Sequence, residues 1–184
     1  MERLGELAAM ASNCTRCALS ATRTQVVFSS GPSDAALVLL GEAPGAEEDT
    51  QGIPFVGRSG QLLSRLLGEA GFARDELYVT NVVKCRPPSN RTPNRAEIEA
   101  CAQWLEPQLT EIAPRLIVTL GAVAARAALG TEVKITSVRG QLHQGPFGPV
   151  LPTYHPAYGL RGGPKVVDLL RADLLAARAY LEGP

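Results

Sequence analysis

Short apolar runs alternate along the chain with segments in which leucine or alanine recurs at helical spacing. The runs at 35–41 and 114–121 consist mainly of apolar side chains, which is typical of strands buried on both faces of a sheet. The segment 60–71 has leucines at helical spacing and ends in glycine, which predicts an amphipathic helix. Strands that alternate with helices indicate a parallel sheet covered by helices on both faces.

The same pattern predicts the remaining elements. Strands are predicted at 35–41, 76–85, 114–121 and 148–156, and helices at 2–11, 60–71, 94–109, 122–129 and 165–181. Asn94 and Glu97 have the spacing of a capping box at the start of one of these helices. The sequence contains no repeat, low-complexity segment or linker, so we expect one domain over residues 1–184.

Polar or glycine-rich segments lie at the ends of all four predicted strands. The longest is the stretch 41–60, and shorter ones occur at 80–81, 120–121 and 155–163. Ligands of open α/β sheets bind in the crevice outside the carboxyl ends of the strands. We therefore expect these four segments to meet at one binding site.

Composition and charge narrow the class of protein. The formal net charge is zero, so binding of a polyanion would require a local basic patch rather than a basic protein. No apolar run is long enough for a membrane span, and the N-terminus lacks the charged-then-apolar order of a signal peptide. From these patterns we expect a cytoplasmic protein without a membrane partner.

Four cysteines form a second set of candidate functional residues. Cys14 and Cys17 have CxxC spacing, and Cys85 and Cys101 follow later in the chain. Cytoplasmic proteins seldom contain disulfides, and thiolate ligands suit either zinc or an iron–sulfur cluster. The spacing does not decide between these metals. The alternative is two buried thiols and an incidental CxxC pair.

Several stretches of the sequence resemble family 4 uracil-DNA glycosylases, the iron–sulfur class of the uracil-DNA glycosylase superfamily. They are the CxxC pair, "GEAPGAEEDTQGIPFVGRSGQLL", "YVTNVVKCRPP", "NRTPNRAEIEAC" and "TYHPAYGLR". The resemblance implies a three-layer α/β/α fold with a central, mainly parallel sheet. It also implies a [4Fe-4S] cluster on Cys14, Cys17, Cys85 and Cys101, held in part by the N-terminal segment. The implied activity is excision of uracil from single- or double-stranded DNA, by a protein expected to be a monomer.

The segment 41–46 departs from the wider superfamily. Its sequence is "GEAPGA", where the best-known relatives have Gly-Gln-Asp-Pro-Tyr-His. Ala43 thus replaces the aspartate regarded there as activating water, and Gly45 replaces the tyrosine that helps to exclude thymine. The resemblance therefore assigns neither a general base nor the means of rejecting thymine.

The candidate uracil site combines stacking, base reading and backbone contact. A base hidden in the DNA stack must be flipped out before it can be excised, and Phe55 is the aromatic residue on which it would stack. The amide of Asn81 can accept from uracil N3–H and donate to O4, a pattern that cytosine reverses. The backbone of Gly41, Glu42 and Ala43 would contact the base, because small residues permit close approach.

Two side chains are the candidates for catalysis. His155, one of two histidines, would donate a hydrogen bond to uracil O2 as negative charge develops on the leaving base. Glu42 would stabilise the sugar cation and orient water. We expect Glu47 and Glu48 to be solvated acids and the other histidine, His143, to have a structural role.

DNA contacts are predicted at two places. Arg58 and Ser59 open a helix whose N-terminal amides can receive a phosphate. Leu160 and Arg161 lie in 157–163, predicted to be a short glycine-rich loop in which the leucine would fill the space left by the flipped base.

Other functions remain as alternatives. One is an iron–sulfur module that binds uracil-containing DNA without cutting it. Another is a nucleotide hydrolase or phosphotransferase, although the sequence lacks a GxxxxGK[ST] phosphate loop. Covalent capture of uracil, as in one branch of the superfamily, would need a histidine that 84–95 does not contain. Only Lys84, of three lysines, lies near the convergent loops, so we expect a monofunctional glycosylase without lyase activity.

Overall fold

Within residues 2–183, which the computed structural model describes, five strands form one sheet. The strands are β1 (Leu37–Gly41), β2 (Tyr78–Asn81), β3 (Leu116–Leu120), β4 (His143–Gly145) and β5 (Gly148–Thr153). Their order across the sheet is β2-β1-β3-β5-β4. All neighbouring strands pair in parallel except β4, which runs antiparallel to β5 at the edge. The predicted mainly parallel sheet is therefore confirmed.

Helices cover both faces of the sheet. They are α1 (Glu2–Ser12), α2 (Ala46–Gln51), α3 (Arg58–Glu69), α4 (Arg95–Ile112), α5 (Ala122–Leu129), α6 (Ile135–Val138), α7 (Pro156–Gly162) and α8 (Pro164–Glu182). One core layer joins α1, α4 and α5 to alternate residues of β1 and β3, and the other joins α3 and α8 to the intervening residues. This arrangement confirms the three-layer α/β/α fold. Every helix between residues 2 and 183 is too short or too polar to cross a membrane.

The predicted glycine-rich loop at 157–163 was wrong, because this segment is α7. His155 caps the helix by accepting a hydrogen bond from the backbone N–H of Ala157, and Pro156 occupies the first turn. A Cβ atom at Gly159 would lie 2.9 Å from Leu170 Cδ1, so this glycine lets α7 pack closely on α8. The glycine here serves helix packing rather than flexibility.

Three further elements were not predicted, namely α2, α6 and the edge strand β4. Each is six residues or shorter, too short for a hydrophobic period to appear in the sequence. The other predicted helices and strands are present with shifted ends. Asn94 and Glu97 form the predicted capping box, in which each side chain accepts from the backbone N–H of the other residue.

The register of the sheet positions the candidate site. Gly41 and Asn81 are paired residues at the carboxyl ends of β1 and β2. Thr153 ends β5 opposite Leu120 of β3, and His155 follows two residues later. The strand ends therefore bring the predicted site segments 41–60, 80–81 and 155–163 to one edge of the sheet.

Candidate active site

A cleft of about 440 Å³ lies outside the carboxyl ends of β1, β2 and β5. Glu42, Asn81 and His155 line it, one from each strand end, as the sequence predicts. The predicted segment at 120–121 lies behind the cleft, since a Cβ atom at Gly121 would be 3.2 Å from that of His155. The cleft has the size and convergent polar groups of a small-molecule site.

The floor of the cleft requires glycine at position 41. A Cβ atom there would lie 2.3 Å from Asn81 Oδ1 and 2.4 Å from Phe55 Cζ. Both distances are shorter than any non-bonded contact of a side-chain carbon, so Gly41 permits the amide and the ring to meet over its Cα atom. The predicted contact between this backbone and the base stays a prediction.

Phe55 adopts a strained backbone conformation. Its φ of 56° is in the left-handed region, which costs a non-glycine residue about 1–2 kcal/mol. A Cβ atom at Gly60 would lie 1.9 Å from the Phe55 carbonyl oxygen, so the turn also requires that glycine. The Phe55 ring is 7% exposed, belongs to the core beneath α3 and lines the cleft 5.9 Å from the His155 ring. Strain of this kind is concentrated at functional sites.

Asn81 has a buried acceptor atom without a partner. The residue is 1% exposed, and its Oδ1 accepts no hydrogen bond from residues 2–183. Leaving such an atom unsatisfied costs about 1–3 kcal/mol. Because Asn81 lines the cleft, a ligand that offers an N–H donor would remove this cost.

The hydrogen bond of His155 defines its tautomer. Its Nδ1 accepts from the N–H of Ala157 at 3.1 Å, which leaves the proton of a neutral ring on Nε2. Burial, together with the charge of Arg161, lowers the pKa of His155 to about 4. At neutral pH the cleft therefore holds a neutral imidazole with Nε2–H as its donor.

The acids of the stretch 41–60 differ in their surroundings. Burial raises the pKa of Glu42, and a hydrogen bond from Thr92 partly offsets the effect. Glu47 is exposed, as predicted. The expectation that Glu48 is solvated was wrong, because it is 7% exposed and its carboxylate accepts from the backbone N–H groups of Gly45, Val56 and Gly57 at 2.8–3.0 Å. Glu48 thus holds the turn around Phe55, whereas Glu42 faces the cleft.

Two of the four predicted DNA-contacting residues line the cleft, and the other two are exposed next to them in the sequence. Arg58 is exposed at the first position of α3, and Ser59 lines the cleft. Leu160 is 46% exposed on α7, and Arg161 is exposed and also lines the cleft. Their surroundings are compatible with the predicted contacts, which stay predictions.

One wall of the cleft was not predicted. It comes from the loop between β2 and α4, which contributes Pro87, Asn90, Arg91 and Thr92. Arg91 forms a bidentate ion pair with Glu97, at 2.7 and 2.8 Å, which ties this loop to the first turn of α4. The sequence signal available was the polar run between the last two cysteines.

The four cysteines line one small cavity between α1, α4 and the segment after β2. All four are free thiols, and three of their sulfur atoms receive hydrogen bonds. The donors are Trp104 Nε1 to Cys14 at 3.4 Å, Arg23 Nη1 to Cys85 at 3.4 Å and the Lys84 backbone N–H to Cys101 at 3.3 Å. Convergent sulfur atoms with N–H donors fit a thiolate-bound metal centre.

Two of the thiols in this cavity, Cys85 and Cys101, are buried. Within residues 2–183, no three Cys, His, Asp or Glu side chains are grouped closely enough to hold a metal ion. Burial raises the pKa of the Cys85 and Cys101 thiols, that of Cys101 to about 11, so a bound cationic centre is needed to keep them ionised.

A larger and more open groove, of about 900 Å³, lies beyond Phe55 and is lined mainly by apolar atoms. Arg74 and Asp75 are its charged residues, and neither Glu42 nor His155 reaches it. The chemistry is therefore assigned to the smaller cleft.

Comparison with known proteins gives consistent matches. A family model described as the uracil DNA glycosylase superfamily matches residues 28–176. The chain is 47% identical over 172 residues to a type-4 uracil-DNA glycosylase of Thermotoga maritima, and this match covers 92% of this chain and 90% of that protein. It is 43% identical over 166 residues to the type-4 enzyme of Pyrobaculum aerophilum, with 86% and 85% covered. A type-5 uracil-DNA glycosylase of Thermus thermophilus is 39% identical over 114 residues, with 54% and 52% covered.

Proposed function

The chain belongs to the uracil-DNA glycosylase superfamily and to its type-4 members, and we propose that the cleft between β1, β2 and β5 is its site of uracil excision. The enzyme removes uracil from DNA in repair, by breaking the bond between uracil N1 and deoxyribose C1′. The target nucleotide must leave the helix to reach a site of this depth.

The unpartnered acceptor of Asn81 is the observation that supports the proposal most directly. In this assignment, Asn81 Oδ1 accepts the N3–H of uracil and its amide nitrogen donates to O4. Cytosine has an acceptor at N3 and donors at N4. It would therefore place an acceptor against Asn81 Oδ1 and a donor against the amide nitrogen, and neither hydrogen bond could form. Phe55 provides the stacking surface, and Gly41 allows the base edge to approach the backbone.

His155 stabilises the leaving group in this mechanism. As the N1–C1′ bond breaks, negative charge develops on the uracil ring and positive charge on the sugar. The neutral imidazole donates from Nε2 to uracil O2, where the charge accumulates. Because Nδ1 is already occupied by the N–H of Ala157, the ring is fixed in the tautomer that this role requires.

Glu42 acts on the sugar side of the bond. Its carboxylate stabilises the cation at C1′ and orients the water that adds to this carbon, and the water proton is then released. Ala43 provides no carboxylate at the neighbouring position to activate water strongly. In the proposed mechanism, uracil therefore departs before a weakly activated water attacks C1′. Its product is DNA with an abasic site.

The four cysteines are proposed to hold a [4Fe-4S] cluster. When bound, the cluster crosslinks the segment after α1, the segment after β2 and helix α4. These residues lie apart from those that line the cleft, so the proposed role of Cys14, Cys17, Cys85 and Cys101 is structural.

Incubation with a uracil-containing oligonucleotide, followed by alkali to cut abasic sites, tests the function. We expect cleavage at uracil, and none in matched oligonucleotides with thymine or cytosine at the same position. Binding without strand cleavage after alkali would instead favour the alternative of a non-catalytic uracil-binding module.

A further inference from the structure

Lys84 is a buried cation that the proposed mechanism does not use. It is 1% exposed and is the largest of the fully buried side chains of the protein. It lies three residues after Asn81 and immediately before Cys85. Burial of an amine costs free energy that a methionine of similar length would avoid, so packing alone does not account for a lysine here.

The side chain of Lys84 holds the end of β2. Its Nζ donates to the backbone carbonyl of Asn81 at 2.7 Å and to Thr80 Oγ1 at 2.6 Å. The Thr80 hydroxyl in turn donates to the Phe28 carbonyl at 2.8 Å, and the amine lies 5.6 Å from the centre of the Phe28 ring. Both hydrogen bonds of Nζ can be donated by the ammonium and by the neutral amine.

The backbone of Lys84 is attached to the cysteine cavity. Its N–H donates to Cys101 Sγ at 3.3 Å, and its carbonyl accepts from the N–H of Val27 at 2.8 Å. The same residue therefore contacts a proposed cluster ligand through its backbone and the carbonyl of the proposed base-reading residue through its side chain. It is fixed at both ends by hydrogen bonds within the core.

We infer that Lys84 is a positioning residue for base recognition, which holds the Asn81 backbone so that the Asn81 amide faces the uracil edge. The inference rests on the proposed role of Asn81. Its physical basis is that a buried hydrogen bond from the Lys84 amine restricts the carbonyl of the residue whose side chain must align with N3–H and O4. The contact with Cys101 makes the cysteine cavity the support for this alignment.

A double-mutant cycle tests the inference. Lys84→Met, Asn81→Ala and the double variant are compared with the parent by iron content, melting temperature and single-turnover excision of uracil at saturating enzyme. Lys84→Met should retain iron and slow excision by about ten- to a hundredfold, the range expected when a buried carbonyl loses its hydrogen-bond donor. In the Asn81→Ala background, the same change should alter the rate by no more than about twofold, because interacting sites are not additive.

Several results would overturn the inference. One is an unchanged excision rate in Lys84→Met, and another is an equal loss of rate in the parent and Asn81→Ala backgrounds. A third is loss of iron together with activity in Lys84→Met, because it would show that Lys84 supports the cluster instead. Lys134→Met, a change of an exposed lysine, serves as the control and should match the parent. If Lys84→Met does not fold, Thr80→Val decides, and it should give a smaller loss that disappears in the Asn81→Ala background.

The proposed function fails separately from this inference. Absence of uracil excision by the parent would contradict the function itself, and normal excision by Asn81→Ala would contradict the base-reading role. A loss in Asn81→Ala beside a normal Lys84→Met would remove only the positioning role of Lys84.

Discussion

The cysteine cavity and the cleft both contain buried polar groups, but they differ in how these groups are satisfied. At the cavity, the sulfur atoms of Cys14, Cys85 and Cys101 already receive hydrogen bonds from surrounding N–H groups. At the cleft, Asn81 Oδ1 accepts from none of residues 2–183, and Phe55 keeps an unfavourable φ. The difference supports the proposal that the cavity has a structural role and that the cleft binds a base.

Two of the three glutamates of the stretch 41–60 repeat this contrast within one loop. The carboxylate of Glu48 accepts three backbone hydrogen bonds and holds the turn around Phe55. Glu42 faces the cleft, where burial raises its pKa. Identical side chains six residues apart thus differ in environment, one held by backbone N–H groups and the other facing the cleft.

The largest expected effect is at the cavity. Cys85→Ser should lose the folded protein and its iron together, because a structural metal centre contributes its binding free energy to folding. The measurements are soluble yield, iron per chain and visible absorbance after anaerobic purification, in which the parent should be brown with about four irons per chain. A stable, fully active variant without iron would contradict the structural role of the metal centre. Zinc in the parent would contradict an iron–sulfur cluster.

Removal of the His155 imidazole should have the next largest effect. His155→Ala should slow single-turnover excision by about a hundred- to a thousandfold, the range for loss of one oxyanion donor. The reduction should be at least as large as that of Glu42→Gln, since Ala43 leaves no strong base near the water. Both variants should still melt like the parent and bind uracil-containing DNA. A nearly inactive Glu42→Gln beside a nearly normal His155→Ala would reverse this ranking.

Filling the floor of the cleft should have a smaller effect. Gly41→Ala would place a Cβ atom 2.3 Å from Asn81 Oδ1 and 2.4 Å from Phe55 Cζ, so the base site must distort. We expect excision to slow by about ten- to a hundredfold, in line with the usual cost of overpacking. Gly68→Ala is the matched control in α3, where an added Cβ atom meets no atom within 4 Å. Equal rates for the two variants would show that Gly41 does not limit the site.

The smallest expected effect is on the pH dependence. Because the pKa of His155 is lowered to about 4, its ring stays neutral above that pH and should cause no change in rate near pH 6.5. The pKa of Glu42 is raised, so excision should decline as the pH falls through this raised value and the carboxylate is lost. Single-turnover pH profiles of the parent and Glu42→Gln measure this, and the decline should be absent from the variant. A transition near pH 6.5 that His155→Ala removes would contradict the assignment.

The sequence predicts most of the sheet and helices because their signals are local. Apolar runs identified the buried strands, and the spacing of Asn94 and Glu97 identified the start of α4. The segment 157–163 was misread because the role of Gly159 depends on its contact with Leu170 in a different helix. The conformation of such segments depends on tertiary contacts, which the local sequence pattern does not show.

The site was predicted where residue type determines the chemistry, and missed where environment does. Asn81 and His155 lie in the cleft, as their positions at the ends of strands indicated. The burial of Glu48 depends on amides eight and nine residues later, and that of Lys84 on a pocket formed by Phe28 and Thr80. Such partners meet only in the folded chain.

The most direct measurement compares single-turnover excision of uracil and of 3-methyluracil from otherwise identical single-stranded oligonucleotides. The methyl group removes the N3–H donor and leaves the bond to N1 in place. We expect 3-methyluracil to be excised at least about a hundredfold more slowly, because Asn81 Oδ1 would stay buried without a partner. In Asn81→Ala, which lacks the acceptor and has more space, this difference should shrink to a few fold. Equal excision of the two bases by the parent enzyme would contradict the claim that Asn81 reads uracil in this cleft.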